Sequence, residues 1–423
     1  MLFQTLLQGE NNLMQIITSK NLPSNFYDYK EFSAVSSVDE IIADVKTNGD
    51  IAVKKYTEKF DGKIENLEVT KAEIEEALKN VPQEVIEAIK LSIKNVKTFA
   101  EAQLNSVKEF ETENCGIKLS QKIIPLERTG AYVPGGNYPL PSSAIMSIVP
   151  AKTAGVKEVI MCSPKIQPAT IVAGYLAGAD RIFRVGGVQA IAAMAYGTQT
   201  IPKVDKITGP GNKFVTFAKK QVFGVCGIDF LAGPSEVMVI ADESANAKFV
   251  AADFLAQCEH DADASGILLT TSEDFANEVK LQTEEFLKTL KTAEIAQKAL
   301  EHSYIIIVNN LDEAIEIANK KAPEHLEIMT KENDYLKEKL TCYGSLFVGD
   351  YSAEVLGDYC SGTNHILPTN KVARYNGGLS VFDFIKILTC QEAINSKEVT
   401  KTASVLADTE GLMAHKLAAD VRL

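Results

Sequence analysis

The sequence predicts an α/β protein in which two similar parallel-sheet domains lie between an N-terminal helical segment and a C-terminal helical tail. Three observations predict this class. From Val156 onward, short apolar runs alternate with stretches of helical periodicity. A second series of the same kind begins at Gly266, and both ends of the chain have helical patterns. Strands that alternate with helices form parallel sheets through right-handed crossovers.

The first 105 residues have the pattern of helices. Val85, Ile89 and Ile93 recur at the spacing that places side chains on one helix face. Thr70 and Glu73 form a capping box, which marks the start of another helix. We therefore predict that residues 1–105 are a helical segment that wraps the rest of the protein and is not its chemical centre.

Two α/β domains are predicted over residues 106–240 and 241–380. The predicted strands of the first are VKEVIMCS, RIFRVGG and VDKIT, and those of the second are GILLTT, YIIIVNN, HLEIMT and GSLFVGD. Their common order indicates an internal duplication, although no residue-level repeat is visible. Residues 381–423 are predicted to be a helical tail that does not pack on its own half of the protein.

Charge and composition exclude several classes of function. The chain has 43 basic and 56 acidic residues, a net charge of −13, whereas binding to a phosphate backbone requires a positive surface. No uninterrupted apolar run is long enough to span a membrane, and the N-terminus lacks the pattern of a signal peptide. Seven cysteines without a CxxC pair favour a reducing compartment. We predict a soluble cytoplasmic protein with no nucleic-acid or membrane partner.

The stretch FLAQCEHDADASG, residues 254–266, places Gln257 and His260 three positions apart behind an apolar helix face. Side chains at this spacing lie about 5–6 Å apart at Cβ, so both could reach one ion or ligand. Spacing alone favours a helix end with a hydrogen-bonded histidine, because zinc sites normally add carboxylate or cysteine ligands. Cys258 points away from the shared face of Gln257 and His260, so we predict a buried structural thiol rather than a nucleophile.

Three glycine-rich loops lie beside predicted strands: GPGNKF (209–214), YVPGGNYPLPSS (132–143) and VGGVQA (185–190). The first lies between a strand and a helix, where backbone amides and the helix dipole could hold a pyrophosphate. It lacks the GxGxxG spacing of dinucleotide sites, so a tight turn between strand and helix is at least as good an interpretation. Together the loops indicate a ligand crevice, although most such loops need glycine for geometry alone.

The segment APEHLEI, residues 322–328, places Glu324 and His325 side by side after a proline. A carboxylate and an imidazole that face one cleft could move protons near neutral pH. The alternative is a helix end followed by a strand with incidental charge. The segment GDYCSGTNHILPT contains Asp358 and His365 and by itself could be a surface turn, and His415 could equally be a solvated helix residue.

These segments together, and in this order, resemble the histidinol dehydrogenase family. Several are weak alone, but their joint occurrence over nearly the whole chain is specific. The motifs that carry the resemblance are NGDIAVKKYTEKFDG, RTGAYVPGGNYPLPSSAIMSIVPAKTAGV, RVGGVQAIAAMAYGT, ITGPGNKFV, AGPSEVMVIAD, FLAQCEHDADA, APEHLEI, GDYCSGTNHILPT and HKLAADVR. The resemblance implies that both domains are incomplete Rossmann-like domains, which in this family lack GxGxxG.

The resemblance implies one Zn²⁺ per subunit, held by Gln257, His260, Asp358 and His415. These oxygen and nitrogen donors suit zinc, although an amide is an unusual ligand. The implied substrate is L-histidinol, whose imidazole and amine nitrogens bind the metal. The residues implied to bind the substrate are Ser235, Gln257, His260, Glu324, Asp358, His365, Glu410 and His415.

The implied reaction is two successive oxidations with NAD, from L-histidinol through L-histidinal to L-histidine, as the last step of histidine biosynthesis. His325 would take the hydroxyl proton in the first oxidation and act again in the second, and Glu324 would deprotonate the water that hydrates the aldehyde. Tyr132, Gln189 and Asn212 are the positions implied to contact NAD.

The resemblance further implies a homodimer whose C-terminal tail crosses to the partner, so that Glu410 and His415 complete the neighbouring active site. Two other functions are compatible with the same residues. One is an NAD-dependent dehydrogenase of another alcohol or diol. The other is a zinc-dependent hydrolase or lyase with Glu324 as base, which predicts turnover without NAD binding. A purely structural metal site is disfavoured by the spare acid–base pair.

Overall fold

A computed structural model describes residues 13–29, 36–135 and 139–423, and these residues form three β-sheets and sixteen α-helices. The first twelve residues of the predicted helical segment, and residues 136–138 of the loop 132–143, lie outside the described residues. No helix in the described part of the chain has the length and apolar character needed to cross a membrane.

The β-strands follow one another along the chain as short elements. They are β1 (Gln15–Thr18), β2 (Phe110–Asn114), β3 (Ile117–Pro125), β4 (Arg128–Tyr132), β5 (Glu158–Cys162), β6 (Arg181–Phe183), β7 (Lys206–Thr208), β8 (Gly227–Ile228), β9 (Glu236–Ala241), β10 (Ser265–Thr270), β11 (Tyr304–Ile307), β12 (His325–Met329), β13 (Ser345–Val348) and β14 (Ile385–Ala393).

The α-helices connect these strands or cover the sheets. They are α1 (Ser36–Asn48), α2 (Asp50–Asp61), α3 (Lys71–Asn80), α4 (Gln83–Asn105), α5 (Pro141–Ala154), α6 (Pro168–Ala177), α7 (Gly187–Tyr196), α8 (Lys213–Val222), α9 (Ala247–Cys258), α10 (Glu273–Leu287), α11 (Ala293–Leu300), α12 (Leu311–Lys321), α13 (Asn333–Lys339), α14 (Glu354–Tyr359), α15 (Lys397–Thr409) and α16 (Met413–Asp420).

The two larger sheets share a five-strand order, to which the second adds the edge strand β1. The first sheet runs β6-β5-β4-β7-β8, and the second runs β1-β11-β10-β9-β12-β13. Counted from β4 and from β9, both contain the order 3-2-1-4-5, which is a Rossmann-like order with its last strand missing. Every pair in these two sheets is parallel. The predicted α/β fold with two incomplete Rossmann-like units is confirmed.

Each parallel sheet is buried on both faces. Side chains alternate along a strand, so one strand contributes to the apolar clusters on both sides. On β5, Val159 and Met161 belong to one apolar cluster, while Ile160 and Cys162 belong to the cluster on the opposite face. The strand β9 of the second sheet divides its apolar side chains between two clusters in the same way. Helices therefore cover both faces, and only the sheet edges are left to form binding sites.

The ends of the chain differ from the all-helical prediction. β1 is the edge strand of the second sheet, paired in parallel with β11. β14 joins β3 and β2 in a third, antiparallel sheet. Eight of the nine residues of β14 are exposed, so it has no apolar alternation by which a strand could be predicted. β1 has only four residues, and its partner lies almost three hundred positions away, so local pattern could not reveal it.

The predicted boundary between residues 240 and 241 falls inside β9. This strand lies between β10 and β12 in the second sheet. The part of the chain that forms that sheet therefore begins before the predicted boundary. The apolar run EVMVIA is completely buried, as in other strands with helices on both sides.

Candidate active site

The candidate active site lies at the amino edge of the second parallel sheet. β9 begins directly after Ser235, and β12 begins at His325, directly after Glu324. The two strands are neighbours, with His325 paired to Val237. Glu236 N–H donates to Glu324 Oε2 over 3.0 Å. Strand pairing therefore brings Ser235, Glu324 and His325 to one place.

Glu324 and His325 form a buried acid and imidazole pair. His325 Nδ1 lies 3.7 Å from Glu324 Oε2 and has no hydrogen-bond partner among the described residues, whereas Nε2 lies 3.3 Å from Asp358 Oδ1. Burial raises the pKa of Glu324 to about 8. Burial alone would lower the pKa of His325, but Glu324, Asp358 and Glu354 raise it to about 10. Neighbouring side chains with shifted pKa values, close enough to exchange a proton, are typical of a general acid–base site.

Two helices bring further side chains towards His325. α9 ends one residue after Gln257, and His260 follows the helix end. Asp358 lies in α14, which packs against α9. Burial would raise the pKa of Asp358, but the hydrogen bond with His325 and the nearby imidazoles of His365 and His260 hold it below its ordinary value. The structure therefore places His260 and Asp358 in one electrostatic environment with His325.

The loop after α14 places His365 next to Asp358. His365 Nδ1 lies 2.8 Å from the backbone oxygen of Asp358, and Nε2 lies 3.4 Å from Ser143 Oγ. Ser143 is in the first turn of α5, which follows β4 of the first sheet. Burial lowers the pKa of His365, which favours a neutral ring. The amino edge of the second sheet thus faces the carboxyl edge of the first across this site.

Beneath the site lies a layer of acidic side chains that sequence reasoning missed. Asp253, Glu327 and Glu354, which we call the inner carboxyl layer, are all buried. Glu354 N–H donates to Glu327 Oε1 over 3.0 Å. Burial raises the pKa of Asp253 to about 6. Burial and the neighbouring carboxyls Asp253 and Glu354 raise the pKa of Glu327 well above its ordinary value. Protons are therefore held on Asp253 and Glu327 under conditions where free carboxyls are ionised.

Residue spacing is the signal that could have revealed the inner carboxyl layer. Each member lies on the same element as a site residue, two positions away on the strand or four on a helix, so both side chains point to one side. The pairs are His325 with Glu327 on β12, Gln257 with Asp253 on α9, and Asp358 with Glu354 on α14. The charge within the otherwise apolar run HLEIM is the most visible of these signs.

Gln257, His260 and Asp358 fit a zinc site by their chemistry, because they offer an amide oxygen, an imidazole nitrogen and a carboxylate. His260 Nδ1 lies 3.3 Å from the backbone oxygen of Gln257, which leaves Nε2 for a ligand bond. Within residues 13–29, 36–135 and 139–423, no three His, Cys, Asp or Glu side chains are grouped so that they could hold a metal. Glutamine is outside those four types, so this absence does not bear on a set made of Gln257, His260 and Asp358.

Tyr132, Gln189 and Asn212 surround the carboxyl edge of the first sheet. Tyr132 ends β4, and Asn212 is the N-cap of α8, after β7. Gly187 N–H donates to Tyr132 Oη over 3.1 Å, which places the first turn of α7, with Gln189, beside Tyr132. The strand order reverses between β4 and β7, and open α/β sheets bind ligands at this switch point.

Tyr132, Gln189 and Asn212 differ in their burial and in their hydrogen bonds. Tyr132 is buried, and burial raises its pKa to about 12. Gln189 is also buried, and its Oε1 has no hydrogen-bond partner in the described chain. The exposed Asn212 accepts through Oδ1 from Phe214 N–H and Val215 N–H, so this oxygen already caps the helix.

The GPGNKF loop is a tight turn from strand to helix that a buried ion pair holds in place. Gly209 N–H donates to Asp229 Oδ2 over 2.8 Å, and Gly209 O accepts from Lys219 Nζ over 3.0 Å. Lys219 and Asp229 also contact each other directly, away from solvent. Gly209 has a φ of +115°, and a Cβ there would lie 1.9 Å from the backbone oxygen of Tyr132. Glycine is therefore required by geometry at this position.

Glu410 and His415 do not join these residues within the described chain. Glu410 is the C-cap residue directly after α15, His415 lies in α16, and both are exposed. The two helices pack mainly against each other. Neither side chain has a hydrogen bond or ion pair with Gln257, His260 or Asp358 in the parts of the chain that are described.

Cys258 is a buried thiol, as the helix pattern predicted. Its Sγ lies 3.9 Å from Ser303 Oγ. Burial raises the pKa of the thiol to about 12, so the nucleophilic thiolate is disfavoured.

Comparison with known proteins identifies the same fold and family. The family model described as "Histidinol dehydrogenase" matches residues 27–423. The histidinol dehydrogenase of Methanocaldococcus jannaschii is 49% identical over 395 residues, covering 92% of each chain. That of Aquifex aeolicus is 50% identical over 394 residues, covering 91% of this chain and 92% of the relative. The crystal structure of histidinol dehydrogenase from Elizabethkingia anophelis has a TM-score of 0.92 at 37% identity, covering 98% of this chain and 99% of the other.

The two Rossmann-like parallel sheets and the buried acid–base site between them are typical of an α/β enzyme. Since the family model covers more than half of the chain and the relatives match over most of their length, the chain belongs to the histidinol dehydrogenase family. The resemblance noted from the sequence motifs is confirmed.

Proposed function

We propose that this chain oxidises L-histidinol through L-histidinal to L-histidine with two NAD, using one zinc ion per subunit, in the last step of histidine biosynthesis. One observation carries the proposal. The buried Glu324 and His325 pair lies against Asp358, beside His260 and at the end of the helix that carries Gln257. Family membership supports the same substrate, because the relatives bear the name histidinol dehydrogenase.

The zinc ligands proposed are Gln257, His260 and Asp358 of one chain and His415 of a second copy. When bound, the zinc ion supplies positive charge beside Asp358 and ligand positions for the imidazole and amine nitrogens of the substrate. The chemistry of the donors supports this set, since neutral imidazole and carboxylate are common zinc ligands. Asp358 would then be shared between the metal site and His325, its hydrogen-bond partner.

His325 is proposed to hold and release the hydroxyl proton at Nδ1. With Nε2–H donating to Asp358 Oδ1, the lone pair resides on Nδ1, and this nitrogen has no hydrogen-bond partner among the described residues. The negative charges around His325 raise its pKa, so a cation bound by Asp358 lowers that pKa towards the working pH. Burial of the ring excludes bulk water from the proton transfer.

Glu324 is proposed to take a proton from the water that hydrates the aldehyde. Its Oε2 is oriented by Glu236 N–H, and burial raises its pKa to about 8, so that its ionised form is a stronger base than an ordinary carboxylate. NAD is proposed to bind at the switch point of the first sheet, where Tyr132, Gln189 and Asn212 surround the loops, and to accept the hydride. Ser143, on the same sheet edge, contacts His365, which links the two regions.

The remaining substrate contacts are assigned to Ser235, His365 and Glu410. Ser235 precedes β9 beside Glu324, and His365 lies against Asp358. Glu410, like His415, is remote from this site within one chain, so both are proposed to act in the partner's site. A homodimer is supported by the apolar residues that the tail helices expose: Val405, Leu406, Leu412, Met413, Leu417 and Val421. The seven free cysteines support a cytoplasmic location.

A stoichiometric assay tests the proposed function. Histidinol at limiting concentration, with excess NAD, should yield two NADH per molecule, and a chelator should abolish turnover until zinc is added back. Simple diols at the same concentration are the matched substrates and should give little NADH. One NADH per histidinol, equal use of diols, or full activity in a metal-stripped protein would refute the corresponding part of the proposal.

A further inference from the structure

The Gln257 side chain is held by a carboxylate that no assigned role includes. Gln257 and Glu354 are both buried and face each other. If the Gln257 amide oxygen faced Glu354, a hydrogen-bond acceptor would lie against the carboxylate oxygens, which are also acceptors. In the orientation that satisfies both groups, Gln257 Nε2 donates to Glu354 Oε1 over 3.1 Å and to Oε2 over 3.0 Å. The amide nitrogen therefore faces Glu354, and the amide oxygen is left for another partner.

The backbone of Glu354 is fixed by a hydrogen bond at the start of a helix. Glu354 is the first residue of α14, and its backbone N–H donates to Glu327 Oε1 over 3.0 Å. Asp358 lies one turn later on the same helix, while Gln257 lies on α9. A single short helix thus carries one proposed ligand, Asp358, and the side chain that orients another, Gln257.

We propose that Glu354 is the positioning residue for Gln257, and that it presents the amide oxygen as a zinc ligand. An amide binds a metal through oxygen, because its nitrogen lone pair is delocalised into the carbonyl group. A carboxylate that accepts hydrogen bonds from the nitrogen also increases the negative charge on that oxygen, which strengthens a weak donor. This inference rests on the proposed zinc site and adds the reason why a glutamine serves in it.

The test measures zinc affinity of the full-length protein by competition with a fluorescent zinc chelator, using zinc alone as the probe. Glu354→Ala should weaken zinc binding about 10–100-fold, as expected when a side chain that orients a metal ligand is removed. Glu354→Gln should lose less, because its carbonyl oxygen can still accept from Gln257 Nε2. Saturating zinc should restore most of kcat in both variants, a rescue that general damage to the fold would not permit.

Asp242→Asn is the matched control. Asp242 is a buried carboxylate at the opposite, carboxyl end of β9, where it accepts from Ser244 N–H and Lys331 N–H over 2.9 and 3.1 Å. This variant should lose stability but retain the zinc affinity of the unaltered protein. Thermal unfolding of the zinc-free proteins allows variants of equal stability to be compared.

Gln257→Ala and His260→Ala distinguish failure of the positioning role of Glu354 from failure of the zinc site itself. If both lose zinc while folded Glu354→Ala binds it as tightly as the unaltered protein, the positioning role is overturned and the zinc site stands. If Asp242→Asn loses as much affinity as Glu354→Ala, the effect is general and the positioning role is likewise overturned. If neither Gln257→Ala nor His260→Ala weakens zinc binding, the zinc site itself fails and the inference fails with it.

Discussion

His325 Nε2 lies 3.3 Å from Asp358 Oδ1, at a point where a strand of the second sheet meets a helix that follows it. The same imidazole lies beside Glu324, so one ring joins a proposed metal ligand to a proposed base. This relationship would place the proposed proton transfer next to the proposed metal site. Glu324 and His325 lie at the amino edge of the second sheet, whereas the loops proposed to bind NAD lie at the carboxyl edge of the first sheet.

The two members of the pair should affect different steps. His325→Asn should reduce both oxidations by about 10²–10⁴-fold, because it removes the group that accepts the proton each time. Glu324→Gln should spare formation of the aldehyde and impair its conversion to the acid. Single-turnover NADH formation from histidinol and from histidinal measures the two steps separately. Equal losses in both steps for Glu324→Gln would contradict this division.

The glycine at position 209 should control the affinity for NAD. Gly209→Ala introduces a Cβ 1.9 Å from the backbone oxygen of Tyr132, so the turn must move. Gly224→Ala is the matched control, because Gly224 also has a positive φ, +99°, but nothing lies within 4 Å of its added Cβ. We expect a large increase in the Kd for NAD in Gly209→Ala and a small one in Gly224→Ala, measured by fluorescence titration. Similar values for both would show that backbone strain alone is responsible.

The inner carboxyl layer should make stability depend on pH. The pKa of Asp253 is raised from 3.8 to about 6 in the folded protein, so the folded state binds more protons than the unfolded chain between these values. The stability that Asp253 contributes is therefore fully present below pH about 4. It is lost, by about 3 kcal/mol, as the pH rises through 6. Asp253→Asn should lack this loss, so its stability relative to the unaltered protein should increase from pH 4 to pH 8 in urea unfolding.

Asp242→Asn provides the opposite pH dependence as a control. Burial would raise the pKa of Asp242, but hydrogen bonds from Ser244 and Lys331 hold it below its ordinary value. This group stabilises the fold above the unfolded pKa and loses that contribution as the pH falls, so the variant should be most destabilised at neutral pH. Parallel pH profiles for Asp253→Asn and Asp242→Asn would contradict the assignment of a raised pKa to Asp253.

Much of the fold was predictable because its central strands are short apolar runs between helices. HLEIM and EVIMC are buried on both faces, and their composition reflects that burial. β14 was missed because it is exposed and pairs with β3, more than two hundred residues earlier. Sequence motifs indicated the site residues only through a family resemblance, because spacing relates Gln257 to His260 but cannot relate either to Asp358.

The inner carboxyl layer shows a different limit of the sequence. Asp253 and Glu354 have the spacing of ordinary helix residues, and an acidic residue on a helix is usually exposed. Only the packing of α9 on α14 and the second sheet reveals that both are buried. Their role therefore follows from tertiary structure, where three elements each contribute one member to the layer.

Hybrid dimers should reveal a site shared between subunits. His260→Ala and His415→Ala should each be inactive alone, and mixing them under conditions of subunit exchange should restore about a quarter of the original activity. Half of the dimers are then hybrids, and each hybrid has one intact site if the tails cross. Mixing His260→Ala with Gln257→Ala is the control and should restore nothing, since both changes lie in the same half of a site. No recovery despite verified exchange would exclude crossed tails.

The most direct measurement of the central claim is diffraction at the zinc absorption edge from crystals of the zinc-loaded protein. The structure and chemistry described above predict one anomalous peak about 2 Å from Gln257 Oε1, a His260 ring nitrogen and an Asp358 carboxylate oxygen, with His415 of a second copy completing the set. A peak at other residues, or a site from which Gln257 and Asp358 are absent, would contradict the claim.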